Sequence, residues 1–133
     1  MQALTREEQE LLDAAKAASQ NAYVPYSGYR VGAALRCKDG SMVTGCNVEN
    51  ASYSLTLCAE RTAIFKAISD GKRDFIAIAV YVDSDKVFPP CGACRQVIYE
   101  FSPMIPVIYG NRNDYIKTNI AELLPGAFTL EKA

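Results

Sequence analysis

The chain has 133 residues, half of them apolar, and a net charge of −1 with its Lys and Arg residues scattered. That is the length of one ordinary domain, able to bury roughly two-thirds of its unfolded surface, and it lacks the clustered positive charge on which nucleic-acid binding rests. No stretch approaches the ~20 apolar residues of a membrane helix, and the opening MQALTREEQELL has neither the basic start nor the apolar run of an export signal, so the expected compartment is the cytoplasm.

Thr5 to Glu8 reads as a capping box that opens a helix running to about Ala22. Its apolar positions, mainly Leu11, Leu12, Ala14, Ala15, Ala18 and Ala22, fall on one side, and Pro25 breaks the chain after them. Tyr29 to Cys37 and Met42 to Val48 flank Asp39-Gly40, a hairpin signal. The loop from Glu49 to Leu57 leads to a second helix, from about Cys58 to Ser69, which stops near Gly71. Phe75 to Val82 is an unbroken apolar run, the pattern of a central strand covered on both faces. After Pro89-Pro90 a third helix runs from about Cys91 to Phe101. Met104 to Tyr109 and Tyr115 to Thr118 are short strands around a Gly-Asn-Arg-Asn turn, expected to pair antiparallel, and Asn119 caps a last short helix that ends before Pro125.

This order predicts an α/β fold, a three-layer α/β/α sandwich around a mixed five-stranded sheet, with no repeat and no linker in residues 1–133. Two crossovers, right-handed by default, place the helices that start at Cys58 and Cys91 side by side on one face. Their N-termini then meet near one end of the sheet.

Five cysteines without an export signal point to reduced thiols, and so to metal binding or catalysis rather than disulfides. There is no histidine, so a metal site must be built from thiolates and carboxylates, and no Ser–His or Cys–His pair is possible. Cys91-Gly-Ala-Cys94 sets two thiols at i and i+3 on one side of a helix start, and Cys58 begins the neighbouring helix. Helix N-termini favour thiolate over thiol, and zinc accepts tetrahedral sulfur ligation.

The ligand count distinguishes a structural site from a catalytic one. Structural zinc is closed by four protein ligands, whereas catalytic zinc keeps a position open. The remaining cysteines do not supply a fourth. With Asp39-Gly40 as the turn, Cys46 pairs near Ala33, four residues and ~13 Å from Cys37 at ~3.3 Å per residue, too far for a disulfide. Neither points obviously at the helix starts, and both read as small buried hydrophobes. Glu60, two residues after Cys58, can accept a proton from water and return it as a general acid. Arg61 is placed to donate hydrogen bonds to the ligand sulfurs and offset the charge of three thiolates; Arg95 is a second candidate.

Plainer readings compete at each position. A lone Cys-x-x-Cys is also half of a structural zinc site or a redox pair. Glu60 alone would be a solvated helix residue and Arg61 a surface charge. Tyr23, Tyr26 and Tyr29 would be packing around a Pro turn.

Cys58-Ala59-Glu60 followed by Pro90-Cys91-Gly92-Ala93-Cys94 fits the signature of zinc-dependent nucleobase deaminases. With Tyr-Val-Pro-Tyr-Ser (23–27), Val-Gly-Ala-Ala (31–34), Gly-Cys-Asn-Val-Glu-Asn (45–50), Cys-Ala-Glu-Arg-Thr-Ala (58–63), Pro-Cys-Gly-Ala-Cys-Arg-Gln-Val (90–97) and Glu-Leu-Leu-Pro-Gly-Ala-Phe (122–128), the chain resembles the short, homotetrameric cytidine deaminases from about Ala22 to Phe128. The resemblance implies hydrolysis of cytidine and deoxycytidine to uridine and deoxyuridine plus ammonia, in pyrimidine salvage. It implies one zinc per chain on Cys58, Cys91 and Cys94, with Glu60 moving protons from water to ring N3 and then to the leaving amino group.

By the same resemblance Asn47 and Glu49 hold the ribose hydroxyls, and the Ala59 N–H meets the pyrimidine O2. Tyr29 lines the pocket, where the family often has Phe. Tyr53 and Phe128 reach a neighbouring subunit's site, so the partners implied are a small nucleoside and further copies of the chain, with no nucleic acid and no membrane. Pro89 departs from the family's usual Ser or Thr, which touches local contacts only. Three rival readings are a non-catalytic zinc or redox module, a deaminase of RNA or single-stranded DNA, and a blasticidin-type deaminase. The scattered charge speaks against the nucleic-acid enzyme, and Asn47-x-Glu49 with Phe128 speaks against the last.

Overall fold

The computed structural model describes residues 3–132. A five-stranded sheet has the order β2-β1-β3-β4-β5, made of β1 (Val31–Cys37), β2 (Met42–Cys46), β3 (Phe75–Val82), β4 (Pro106–Gly110) and β5 (Tyr115–Asn119). β3 and β4 pair in parallel and every other pair is antiparallel, so the sheet is mixed as expected. Four helices accompany it: α1 (Arg6–Ser19), α2 (Ala59–Ser69), α3 (Gly92–Phe101) and α4 (Ile120–Leu123).

Side-chain alternation along the strands divides the core in two. Ala34, Ala79, Tyr81 and Ile108 pack with Leu11, Leu12 and Ala15 of α1. Leu35, Ile78 and Val107 face the other way and pack with Ile64 and Ala67 of α2 and Ile98 of α3. A strand covered on both faces must be apolar at successive positions, and β3 from Ile78 to Val82 is buried throughout.

The capping box forms as read: the Thr5 hydroxyl accepts from the Glu8 N–H, and the Glu8 carboxylate accepts from the Thr5 N–H at 2.8 Å. α1 ends at Ser19 rather than Ala22. The carbonyls of Gln20 and Ala22 accept instead from Arg30 Nη1, at 3.1 and 3.0 Å, which closes the helix early.

Two further expectations shift by small amounts. The hairpin register pairs Arg36 with Met42 and Gly32 with Cys46, one position from the expected Ala33. The turn is a three-residue loop, Lys38–Gly40, closed by the Cys37 N–H on the Ser41 carbonyl at 2.9 Å. Gly40 sits at φ +89°, a conformation open to glycine at no steric cost. Cys37 and Cys46 are thereby five residues apart along the strand, and Cys37 is a buried core residue.

The paired strands also start later and stop earlier than read, at Val31 and Cys46. The reason is Asn47, whose side-chain amide replaces ladder bonds at that end. Its Oδ1 accepts from the Val31 N–H at 3.0 Å and its Nδ2 donates to the Tyr29 carbonyl at 2.8 Å.

α2 lies close against β2 because position 45 has no side chain. A Cβ on Gly45 would fall 2.6 Å from the Ala63 nitrogen and 2.9 Å from the Ala59 carbonyl oxygen. Gly45→Ala should therefore force the helix off the strand and cost about 2–3 kcal/mol of stability. Urea unfolding measures this as a lower midpoint at an unchanged slope.

Candidate metal centre and active site

Both α2 and α3 are entered through a cysteine. Cys58 is the N-cap of α2 and Cys91 the N-cap of α3, each with extended backbone angles and neither using its side chain as a cap. Cys94 is one turn into α3 and fully buried. The three Sγ atoms lie within 4.8 Å of one another. Tetrahedral zinc with ~2.3 Å bonds to sulfur needs a separation of about 3.8 Å, so the set fits that ion after a small closure of side chains.

The electrostatics of the cluster follow from its neighbours. Arg61 Nη2 donates to Cys58 Sγ at 3.2 Å and reaches the Thr56 carbonyl at 3.5 Å. Hydrogen bonds from Cys94 and Arg61, acting against partial burial, draw the Cys58 thiol down to about 5. Cys94 goes the other way, raised by donating to Cys58 and by burial. The downward shift favours the Cys58 thiolate, and a cation bound to all three sulfurs would release the remaining protons.

Glu60 follows in the first turn of α2, 4% exposed. Burial pushes its carboxyl up to about 7; its own helix N–H opposes this, and the negative Cys58 adds to it. A carboxyl balanced near neutrality is what a group that both takes and gives a proton requires.

A cavity of about 170 Å³ opens on this corner, lined by Cys58, Ala59, Glu60 and Cys91 at one end, Asn47 and Thr56 beside them, and Val31, Val80, Val82, Phe88 and Pro89 as apolar walls. The 47–57 segment joins β2 to the start of α2 beside this cavity. Val48 bridges to Tyr23 on one side and Leu57 on the other, which brings Asn47 beside Cys58. A 3-10 turn at Tyr53–Leu55, unmarked in the sequence reading, interrupts that segment.

The structure brings together Cys58, Cys91, Cys94, Glu60, Ala59, Asn47 and Arg61 as the sequence suggests. The other singled-out residues lie further out. The Glu49 carboxylate is held by the Tyr26 and Ser27 N–H groups, at 3.0 and 3.1 Å, and by the Ser27 hydroxyl. Those bonds, the hydroxyl's first, outweigh its burial and hold it below the usual carboxylate range. Tyr29 borders the cavity through Phe88, ring centres 5.2 Å apart and edge-on. Tyr53 and Phe128 are 72% and 64% exposed on this chain. Arg95 does not touch a sulfur: its bonds go to the Pro90 and Leu123 carbonyls, so the second candidate for offsetting thiolate charge is set aside. Phe88 was missed. It sits three residues before Cys91, and nothing in its own stretch, Asp83 to Pro90, marks it for the cavity.

Comparison with known proteins bears on the same residues. A family model described as the cytidine and deoxycytidylate deaminase zinc-binding region matches residues 5–110. A cytidine deaminase of Halalkalibacterium halodurans is 56% identical over 125 residues, 92% of this chain and 95% of that one. One from Sporosarcina psychrophila is 53% identical, covering 92% of each. The crystal structure of cytidine deaminase from Burkholderia pseudomallei superposes with a TM-score of 0.87 at 49% identity, covering 94% of this chain and 100% of that one.

Arg61 supplies a cationic hydrogen bond to the sulfur cluster. Arg61→Gln should weaken zinc retention about 10- to 100-fold, read by competition with a chromogenic chelator. Unchanged retention would remove Arg61 from the site.

Proposed function

The chain belongs to the cytidine and deoxycytidylate deaminase family, and from that premise we propose the roles of its residues in deaminating a cytosine nucleoside. The reaction is the zinc-dependent hydrolysis of cytidine to uridine and ammonia, and we extend it to deoxycytidine. The observation that carries the proposal is one corner of the fold. Three thiols lie within 4.8 Å of one another, and two of them, Cys58 and Cys91, line a cavity with the buried Glu60 carboxyl, Asn47, Thr56 and apolar walls. Relatives above 50% identity named cytidine deaminase favour this reading over a blasticidin-type enzyme or a non-catalytic zinc module.

Cys58, Cys91 and Cys94 hold the ion, which when bound acts as a Lewis acid that makes water a nucleophile at neutral pH. Glu60 takes a proton from the attacking water and delivers it to ring N3 as the C4–O bond forms. It then carries the second proton to the amino group as the C4–N bond breaks. Water and cytidine become uridine and ammonia with no change of oxidation state. The Ala59 N–H, free of an intrahelical partner at the first position of α2, is aimed at the pyrimidine O2. Tyr29 and the apolar walls receive the ring.

Asn47 and Glu49 are assigned to the ribose hydroxyls, and their bonding supports this. Asn47 has spent one of two amide protons and one acceptor site on the entry to β1. Glu49 has three of about four acceptor sites occupied by Tyr26 and Ser27. Each keeps a position for a ligand while already fixed in place.

We read residues 1–133 as one deaminase domain that works as a homotetramer in cytoplasmic pyrimidine salvage. Tyr53 and Phe128, exposed on the chain, enter neighbouring sites in that assembly. Among the described residues, no helix is long and apolar enough to cross a membrane.

Glu60→Ala should keep its zinc and its fold and lose turnover by about 10²- to 10⁴-fold, followed as loss of cytidine absorbance. Full activity would overturn the mechanism. Phe128→Ala should also be impaired, and a reassembled mixture of the two inactive variants should recover activity. In mixed sites the intact Glu60 of one chain meets the intact Phe128 of another. A mixture no more active than its parts would remove the shared site.

A further inference from the structure

Beyond the metal ligands, the first turns of α3 do a second job. The chain after α4 has no regular secondary structure up to residue 132, yet α3 fastens it at two points and holds the last residue of α4 at a third. Arg95 Nη1 donates to the Leu123 carbonyl at 2.8 Å, Gln96 Nε2 to the Phe128 carbonyl at 3.3 Å, and Glu100 pairs with Lys132 at 3.3 Å. These differ in strength. The Glu100–Lys132 pair is exposed and contributes little. The Gln96 bond is long for its type and exposed. The Arg95 bond is short, partly buried and charge-assisted, and it caps the carbonyl of Leu123, the last residue of a four-residue helix.

The same guanidinium has a second arm. Arg95 Nε donates at 2.7 Å to the carbonyl of Pro90, a buried residue directly before the ligand Cys91. Pro90 has no N–H, so its backbone cannot be anchored through a donor of its own. Arg95 follows Cys94 and holds the residue before Cys91, clamping the Cys91–Cys94 turn from outside while reaching α4 with its other arm.

We propose that Arg95 is a positioning residue that makes the metal-holding turn of α3 and the C-terminal segment from Leu123 onward a single mechanical unit. Holding the ion and ordering the segment that carries Phe128 are then linked. The inference rests on the reading of Cys91 and Cys94 as ligands, but not on the role given to Phe128. An arginine is needed because one planar fork reaches two carbonyls lying in different directions; a lysine ammonium on one flexible stem reaches one well.

The test uses the zinc-loaded protein and two readouts other than turnover. One is the rate of zinc release to a chromogenic chelator. The other is amide hydrogen exchange of peptides spanning 120–132, compared with peptides from α1 and β3. In Arg95→Met, zinc should leave about 10-fold faster, exchange in 120–132 should rise several-fold with zinc still bound, and α1 and β3 should stay protected. Arg95→Lys should fall between it and the parent. Gln96→Ala should loosen the segment around Phe128 without changing zinc release. Zinc release within twofold of the parent in both Arg95 variants would overturn the proposal. So would faster release with unchanged exchange in 120–132, or exchange raised equally in α1 and β3. If Arg95→Met does not fold, Arg95→Lys decides by the same criteria. A parent protein that holds no zinc would instead refute the ligand assignment beneath the proposal.

Discussion

Two helices entered through cysteines start at the same corner of one sheet, and the rest of the molecule is arranged around that meeting. Each N-terminus presents unpaired N–H groups and partial positive charge, so two of them side by side repel unless anions lie between them. With a metal bound, Cys58, Cys91 and Cys94 would supply those anions. Three thiolates packed within 4.8 Å would repel each other in turn without a cation. The site is therefore a sandwich of mutual requirements: helix ends need anions, the anions need a metal, and the metal needs the sheet to hold α2 and α3 in register. Gly45 belongs to this chain of dependence, because it allows α2 to lie against β2 at backbone contact distance.

What could be read from the sequence follows from locality. Cys91 and Cys94 are three residues apart on one helix, and Cys58 and Glu60 share a turn, so their grouping needed only the prediction that two helices begin at those cysteines. The capping box at Thr5 and the Asn119 cap were equally local. The misses came where a distant partner decides. Asn47 ended β2 early by bonding across to Val31 and Tyr29, and Arg30 closed α1 by reaching back to Gln20 and Ala22. The hairpin shifted by one because Asp39-Gly40 marks a loop of either two or three residues, and the backbone of Gly40 selects three. Phe88 carries no local mark; only the fold brings it edge-on to Tyr29.

The polar groups around the cavity share a feature with consequences for binding. Asn47 and Glu49 are each fixed by bonds to the scaffold that use only part of their capacity. A side chain left free for a ligand would lose rotamer entropy on binding, and one fully satisfied would have nothing to offer. Partial satisfaction avoids both, and it is the form that preorganisation takes when the supporting residues are backbone groups. The ribose role proposed for this pair depends on that arrangement as much as on residue type.

The two arginines beside the cysteines divide the remaining work. Both follow a candidate ligand closely in sequence, and both were candidates for offsetting thiolate charge. Arg61 bonds Cys58 Sγ, and its own Nε is buried with no hydrogen-bond partner among the described residues. Arg95 does the opposite: its Nε and Nη1 meet carbonyls at good distance and neither meets a sulfur. One guanidinium is placed to offset the charge of the cluster, and the other holds the backbone carbonyl just before Cys91. With no histidine in the chain to lower the ligand charge, the first task falls to Arg61 and to the helix ends, which leaves Arg95 free for the second.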